Sequence, residues 1–163
     1  RLKYAQLLMQ NGLPTRKEWI VDGPGYDDKS GYEAMRKLLA LPCRPTAVIA
    51  VNDFTAAGVA HAIWEEGLGI PEDFSLVSFD DTYVSNLCRP RLTSVSYDLE
   101  EFASRLIGSA VDIAHGRKIE QNQVVEPKLV VRDSCKQYGG GVKKEMKIFT
   151  KNTLTEEKAY LII

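Results

Sequence analysis

The stretch that decides the fold is Pro45-Thr46-Ala47-Val48-Ile49-Ala50-Val51-Asn52-Asp53, followed directly by Phe54-Thr55-Ala56-Ala57-Gly58-Val59-Ala60-His61-Ala62-Ile63-Trp64. The apolar run Ala47–Val51 is short and does not alternate with polar residues, so it reads as a strand buried on both faces. It stops at two polar residues. Apolar positions then recur at helical spacing through Ala56, Ala57, Val59, Ala60, Ile63 and Trp64, until Gly67 and Gly69 end the pattern. A buried strand, a polar turn and an amphipathic helix form the first half of a βαβ unit.

Working downstream, Ser75–Phe79 is a second buried strand, closed by Asp80-Asp81, and Leu92–Val95 a third. Phe102–Ala114 is an amphipathic helix ended by Gly116, and Val124–Val131 a last strand interrupted by Pro127. Upstream, Leu2, Ala5, Leu8 and Met9 mark a helix that Gly12 and Pro14 terminate. Trp19–Val21 reads as a short strand before the turn Asp22-Gly23-Pro24-Gly25. Ser30 is the expected N-cap of a helix with Glu33 three residues on and Tyr32, Met35, Leu38 and Leu39 along one face. The sum is an α/β fold: a doubly wound, mainly parallel sheet with helices on both faces. In such sheets ligands bind beyond the carboxyl ends of the strands, which directs attention to Asn52-Asp53 and Asp80-Asp81. The character changes after Cys135. Tyr138-Gly139-Gly140-Gly141 is a break, so residues 1–135 are expected to form the domain and 136–163 an irregular, lysine-rich tail.

Composition bounds the function. With 163 residues, 44% of them hydrophobic, the chain can bury one real core but not two full domains. Its 21 basic and 22 acidic residues nearly cancel, so bulk charge gives no support to direct nucleic-acid contact. No apolar run approaches the roughly 20 residues that cross a bilayer. Cys43, Cys88 and Cys135 are odd in number and far apart, with His61 and His115 near none of them, which disfavours both a disulfide framework and a metal site. Reduced thiols and a cytoplasmic location are expected, with no cofactor. There is no P-loop, no G-x-G-x-x-G and no G-x-S-x-G, and no nucleophile with a base beside it.

From Pro45 onward several segments carry a family pattern in order and in register. Pro45-Thr46-Ala47, the apolar run, Asn52-Asp53, Ala56 and Gly58 form the first. Gly67, Pro71, Asp73 and Ser75 form a connector, and Phe79-Asp80-Asp81 a strand end. Pro90, Leu92, Thr93 and Val95 follow, then Arg132-Asp133-Ser134. On these residues the chain resembles the C-terminal part of the effector-binding domain of the lactose-repressor/galactose-repressor (LacI/GalR) family. The resemblance implies a periplasmic-binding-protein-like fold with one lobe nearly complete, and a crossover helix over residues 99–116. It also implies a second lobe and a helix-turn-helix DNA reader outside this sequence. Ser78 departs from the pattern, which has glycine there, and is expected to add bulk that narrows the pocket.

The resemblance implies an effector-reading role for Asp80, whose carboxylate can accept two hydrogen bonds from neighbouring sugar hydroxyls. The alternative is that Asp80 caps the next segment, a part that Asp81 is better placed to take. Asn52 offers a donor and an acceptor to a hydroxyl, or else caps the following helix. Asp53 is read as structural. Tyr26 is a candidate aromatic wall for the apolar face of a sugar, and Arg1 matches a polar contact of the family. Trp19 and Trp64 are expected in the core or an interface. The family's two-fold pairing would place His61, Trp64, Tyr83, Val84 and Leu87 in a homodimer interface. Three classes follow: the sensor part of a transcription regulator that reaches DNA only through another module, a periplasmic sugar-binding protein of a transport system, and an enzyme on the same fold. The first is expected and the last disfavoured.

Overall fold

A computed structural model describes residues 2–10, 14–120 and 122–137. Arg1 and the segment from Tyr138 onward, where the tail was expected, lie outside the described residues. Helix α1 (Leu2–Gln10) is followed by a single 3-10 turn at Lys17–Trp19, then α2 (Asp28–Leu39), β1 (Ala47–Ile49), α3 (Asp53–Glu65) and β2 (Ser75–Phe79). A short α4 (Tyr83–Leu87), β3 (Thr93–Ser96), α5 (Leu99–Ala114) and β4 (Lys128–Val130) complete the order.

The sheet runs β1-β2-β3-β4. The first three strands are parallel, with Ala47 opposite Ser75 and Val77 opposite Thr93, and β4 returns antiparallel along β3. The mainly parallel α/β architecture is therefore as the sequence implies. Its core lies between one sheet face and the α2–α3 pair, where Met35, Leu38, Val48, Val59, Ile63, Leu76 and Leu92 are buried together. The two faces are covered unequally. Along β2, Leu76 and Ser78 are buried while Val77 is half-buried and Phe79 exposed, and no residue of α5 is buried.

The α2–α3 contact is unusually close, and glycine is the reason. A Cβ on Gly58 would stand 1.8 Å from the Asp28 carbonyl oxygen, and one on Gly31 would stand 2.1 Å from that of Thr55. The backbones touch where the side chains are missing.

Two local expectations are corrected. Trp19–Val21 is not a strand. Trp19 closes the 3-10 turn, its ring buried and its indole N–H donated to the Cys43 carbonyl at 3.0 Å, so a buried polar group sets the geometry that the apolar run alone did not. The N-cap of α2 is Asp27 rather than Ser30. Its carboxylate accepts the Ser30 amide at 2.9 Å, and Ser30 is already inside the helix.

Candidate ligand site at the strand ends

Parallel strands β1 and β2 end side by side, and Asn52 and Asp80 are among the first polar residues beyond them. Asn52 is the N-cap of α3: its Oδ1 accepts the Thr55 amide at 2.8 Å. Its Nδ2 donates to the Tyr26 carbonyl at 3.0 Å, which ties the Gly-Pro-Gly-Tyr turn to the end of β1. One amide hydrogen and one carbonyl lone pair of Asn52 are left over for a ligand. The Tyr26 ring is exposed beside this link, one residue before the cap of α2.

Asp80 and Asp81 both adopt left-handed backbone conformations, with φ of 88° and 47°. Such geometry is uncommon outside glycine and is sustained here by hydrogen bonds. The Asp80 amide donates to the Val95 carbonyl at 2.9 Å, and the Asp81 amide to Ser94 Oγ at 3.1 Å. The Thr82 amide donates to Asp53 Oδ2 at 2.5 Å.

The two adjacent carboxylates then differ in what they have left to offer. That of Asp81 is taken. It pairs with Arg132 at 2.7 Å and accepts the Ser85 hydroxyl at 2.8 Å. Burial pushes the Asp81 carboxyl up, but the contacts with Arg132 and Ser85 outweigh it and hold the group below the ordinary range. The cap of α4 is Thr82, so Asp81 binds that helix through Ser85 and not as its N-cap. The Asp80 carboxylate, by contrast, accepts no hydrogen bond among the described residues. Partial desolvation, and then the Asp53 charge, push it above the ordinary carboxylate value. It is exposed, unpaired among those residues and aimed by a fixed backbone.

Asp53 is structural, as read. It is fully buried. Ser78 was expected to narrow the pocket, and this is corrected: its side chain is buried and donates to Asp53 Oδ1 at 2.5 Å. The alternation of β2 turns residue 78 toward α3, away from the face that carries Phe79.

Three features were not read from the sequence. Arg132 also donates to the Leu92 carbonyl at 2.8 Å, so the Arg-Asp-Ser segment locks the Asp81 turn from below. Ser134 accepts the Thr93 amide and donates to the Leu76 carbonyl, bridging β2 and β3 at the start of their pairing. Tyr97, just past β3, packs edge-on against Phe102 at 5.9 Å and gives the third strand end an aromatic residue. The strand-end rule that selected Asn52 and Asp80 also points to it.

The residues expected at a two-fold interface form surface on α3 and α4. His61, Trp64, Tyr83 and Leu87 are exposed, the last two at 69% and 67%, while Val84 is half-buried. Tyr83 meets Phe54 edge-on at 6.2 Å, and His61 packs on Tyr32 at 5.3 Å.

A mixed sheet with polar residues at its parallel strand ends is the arrangement in which α/β domains bind ligands. The chain matches the periplasmic binding protein-like domain family over residues 1–135, and it belongs to that family. It is 33% identical over 134 residues to the HTH-type transcriptional repressor PurR of Mannheimia succiniciproducens, covering 82% of this chain and 40% of that protein. It is 41% identical over 107 residues to catabolite control protein A of Priestia megaterium, covering 64% of this chain and 32% of the relative. Among solved structures it superposes on the transcriptional regulator CelR in complex with cellobiose, with TM-score 0.74 and 29% identity over 80% of this chain and 40% of that one. The chain thus spans between 32% and 40% of the length of these relatives, which are transcriptional regulators.

Proposed function

We propose that this chain is the effector-sensing part of a bacterial transcription regulator of the LacI/GalR type, binding a sugar or a related small metabolite at the ends of β1 and β2. The observation that carries the proposal is the pair Asp80-Asp81. One carboxylate is spent on Arg132 and Ser85, and its neighbour, unpaired among the described residues, is left as an acceptor for ligand hydroxyls. Asn52 would add a donor and an acceptor, and Tyr26 a wall against the ligand's apolar face. Arg1, outside the described residues, is a further contact on the resemblance alone. The cellobiose bound by one structural neighbour supports a carbohydrate class of ligand.

In this reading residues 1–135 are the sensing domain and 136–163 a tail. The ligand bridges this lobe to a second one supplied outside the sequence. Unequal affinity for two lobe arrangements then changes the DNA affinity of an attached reader. The chain pairs two-fold through the α3–α4 surface, works in the cytoplasm, needs no cofactor, touches DNA only through the attached module and performs no catalysis. The repressor names of its relatives support a regulator over a transport protein. Among the described residues no helix is long and apolar enough to cross a membrane.

The test uses the full-length protein. Small molecules that co-purify are identified by mass spectrometry, and operator binding is measured with and without them. A change in operator affinity of tenfold or more supports the reading. Equal affinity in every case contradicts it.

A further inference from the structure

Asp53 is a carboxylate withdrawn from water at the first position of α3, and it accepts four hydrogen bonds. Its Oδ1 takes the hydroxyls of Ser78 at 2.5 Å and Ser94 at 2.9 Å. Its Oδ2 takes the amide of Thr82 at 2.5 Å and the hydroxyl of Thr82 at 2.9 Å. A buried carboxylate is costly unless its lone pairs are filled, and here all of them are. The four donors come from β2, β3 and the cap of α4, so one side chain of α3 joins three elements around the Asp80 turn.

The network also reaches the strained backbone. The Thr82 amide binds Asp53 directly. The Asp81 amide binds Ser94 Oγ, whose proton goes to Asp53. Two consecutive amides that follow Asp80 are therefore oriented by the same carboxylate, one through a single hydroxyl. Without it the Thr82 amide has no acceptor among the described residues, and the Ser94 hydroxyl that takes the Asp81 amide loses the partner that orients it, while φ stays positive at both aspartates.

We propose that Asp53 is the positioning residue of the ligand site, fixing the left-handed Asp80-Asp81 turn so that the Asp80 carboxylate stays exposed and without a partner among the described residues. The inference rests on the reading of Asp80 as the ligand acceptor. Asp53 itself is buried and makes no contact with ligand. Ser78, where the family pattern has glycine, supplies this chain with one donor more to the same oxygen. Asp53 with Ser78, Ser94 and Thr82 forms a saturated bracket, and loosening it frees the turn rather than emptying the site of a contact.

The experiment is amide hydrogen exchange by nuclear magnetic resonance on the ligand-free chain, so its outcome stands apart from any titration that tests Asp80. Asp53→Ala is expected to speed exchange of the Asp81 and Thr82 amides at least tenfold. Amides within α2 and α3 should stay within about twofold, and the coupling that reports φ of Asp80 should move. Asp53→Asn keeps one acceptor oxygen and is expected to restore the Thr82 amide to within about threefold of the parent. Unchanged exchange at Asp81 and Thr82, or loosening spread evenly over the whole domain, overturns the proposal. If Asp53→Ala does not fold, Ser94→Ala asks the same question of the relay. The Asp81 amide should exchange at least tenfold faster, and an unchanged rate overturns the proposal equally.

Discussion

Replacing Gly58 by alanine isolates the contact on which the core depends. The new Cβ would lie 1.8 Å from the Asp28 carbonyl oxygen, 2.6 Å from its carbon and 2.8 Å from the Tyr32 nitrogen, all of them backbone. No rotamer relieves a clash with a main chain, so α2 and α3 must part by about 1.5 Å to reach ordinary contact. Overpacking of this kind costs up to about 3 kcal/mol. Alanine returns about 1 kcal/mol through its better helix propensity. The net expectation is a loss of about 2 kcal/mol, because steric overlap with rigid backbone outweighs the entropic gain. With a urea m-value of about 1.5 kcal/mol/M, the unfolding midpoint falls by roughly 1.3 M. Gly108→Ala is the control. It sits in α5 with nothing within 4 Å of its would-be Cβ, so the same substitution should not lower the midpoint and should raise helicity. A Gly58→Ala midpoint at or above that of the parent would refute the claim that backbone contact sets the helix crossing.

Three further outcomes follow from the geometry. The side-chain and backbone hydrogen bonds of Ser30 hold the Asp27 carboxyl below its ordinary value of 3.8. Its folded form is favoured when ionised, so the cap's stabilisation is full above that value and is lost as pH falls below it. Asp27→Ala should therefore lower thermal stability at pH 7 and flatten the acid limb, read by circular dichroism. Arg132→Met strips the Asp81 carboxylate of its largely buried partner and should cost about 2 kcal/mol in urea unfolding, somewhat less than a fully buried pair. It should also raise the Asp81 pKa in a carbon-detected titration, since burial would no longer be opposed. Sedimentation is expected to show a dimer at micromolar concentration, which Tyr83→Asp weakens. A monomer at high concentration would contradict pairing through the α3–α4 surface.

The strands, the long helices and the strand-end aspartates were legible because they depend on periodicity and on where apolar runs stop. The run Ala47–Val51 had to be a strand, and the polar pairs after it and after Phe79 had to sit at one end of the sheet. What stayed hidden depends on pairing between distant residues. Nothing local distinguishes Asp27 from Ser30 as a cap, since both are favoured types and the choice follows from where the Tyr26 turn is tied to Asn52. The Trp19 segment looked like a strand because its three apolar residues carry no sign that the indole must find the Cys43 carbonyl. Ser78 was read as pocket lining when its alternation with Phe79 turned it toward Asp53, 25 residues away. The direction of β4 was also open, because a three-residue strand carries no signal of which way it runs.

The carboxylate of Asp80 is proposed to read the ligand, and one titration tests this directly. The small molecule that co-purifies with full-length protein is titrated calorimetrically into the parent and into Asp80→Asn. That variant keeps the side-chain shape but replaces one acceptor oxygen with a donor. Affinity should fall at least about 30-fold, corresponding to about 2 kcal/mol for ligand hydroxyls left without their acceptor, with thermal stability nearly unchanged. Parent binding should also weaken as pH falls toward the raised Asp80 pKa, because only the ionised form has both acceptors. Equal affinity in parent and variant, with the same pH profile, would contradict the account and leave Asp80 as a strand terminator alone.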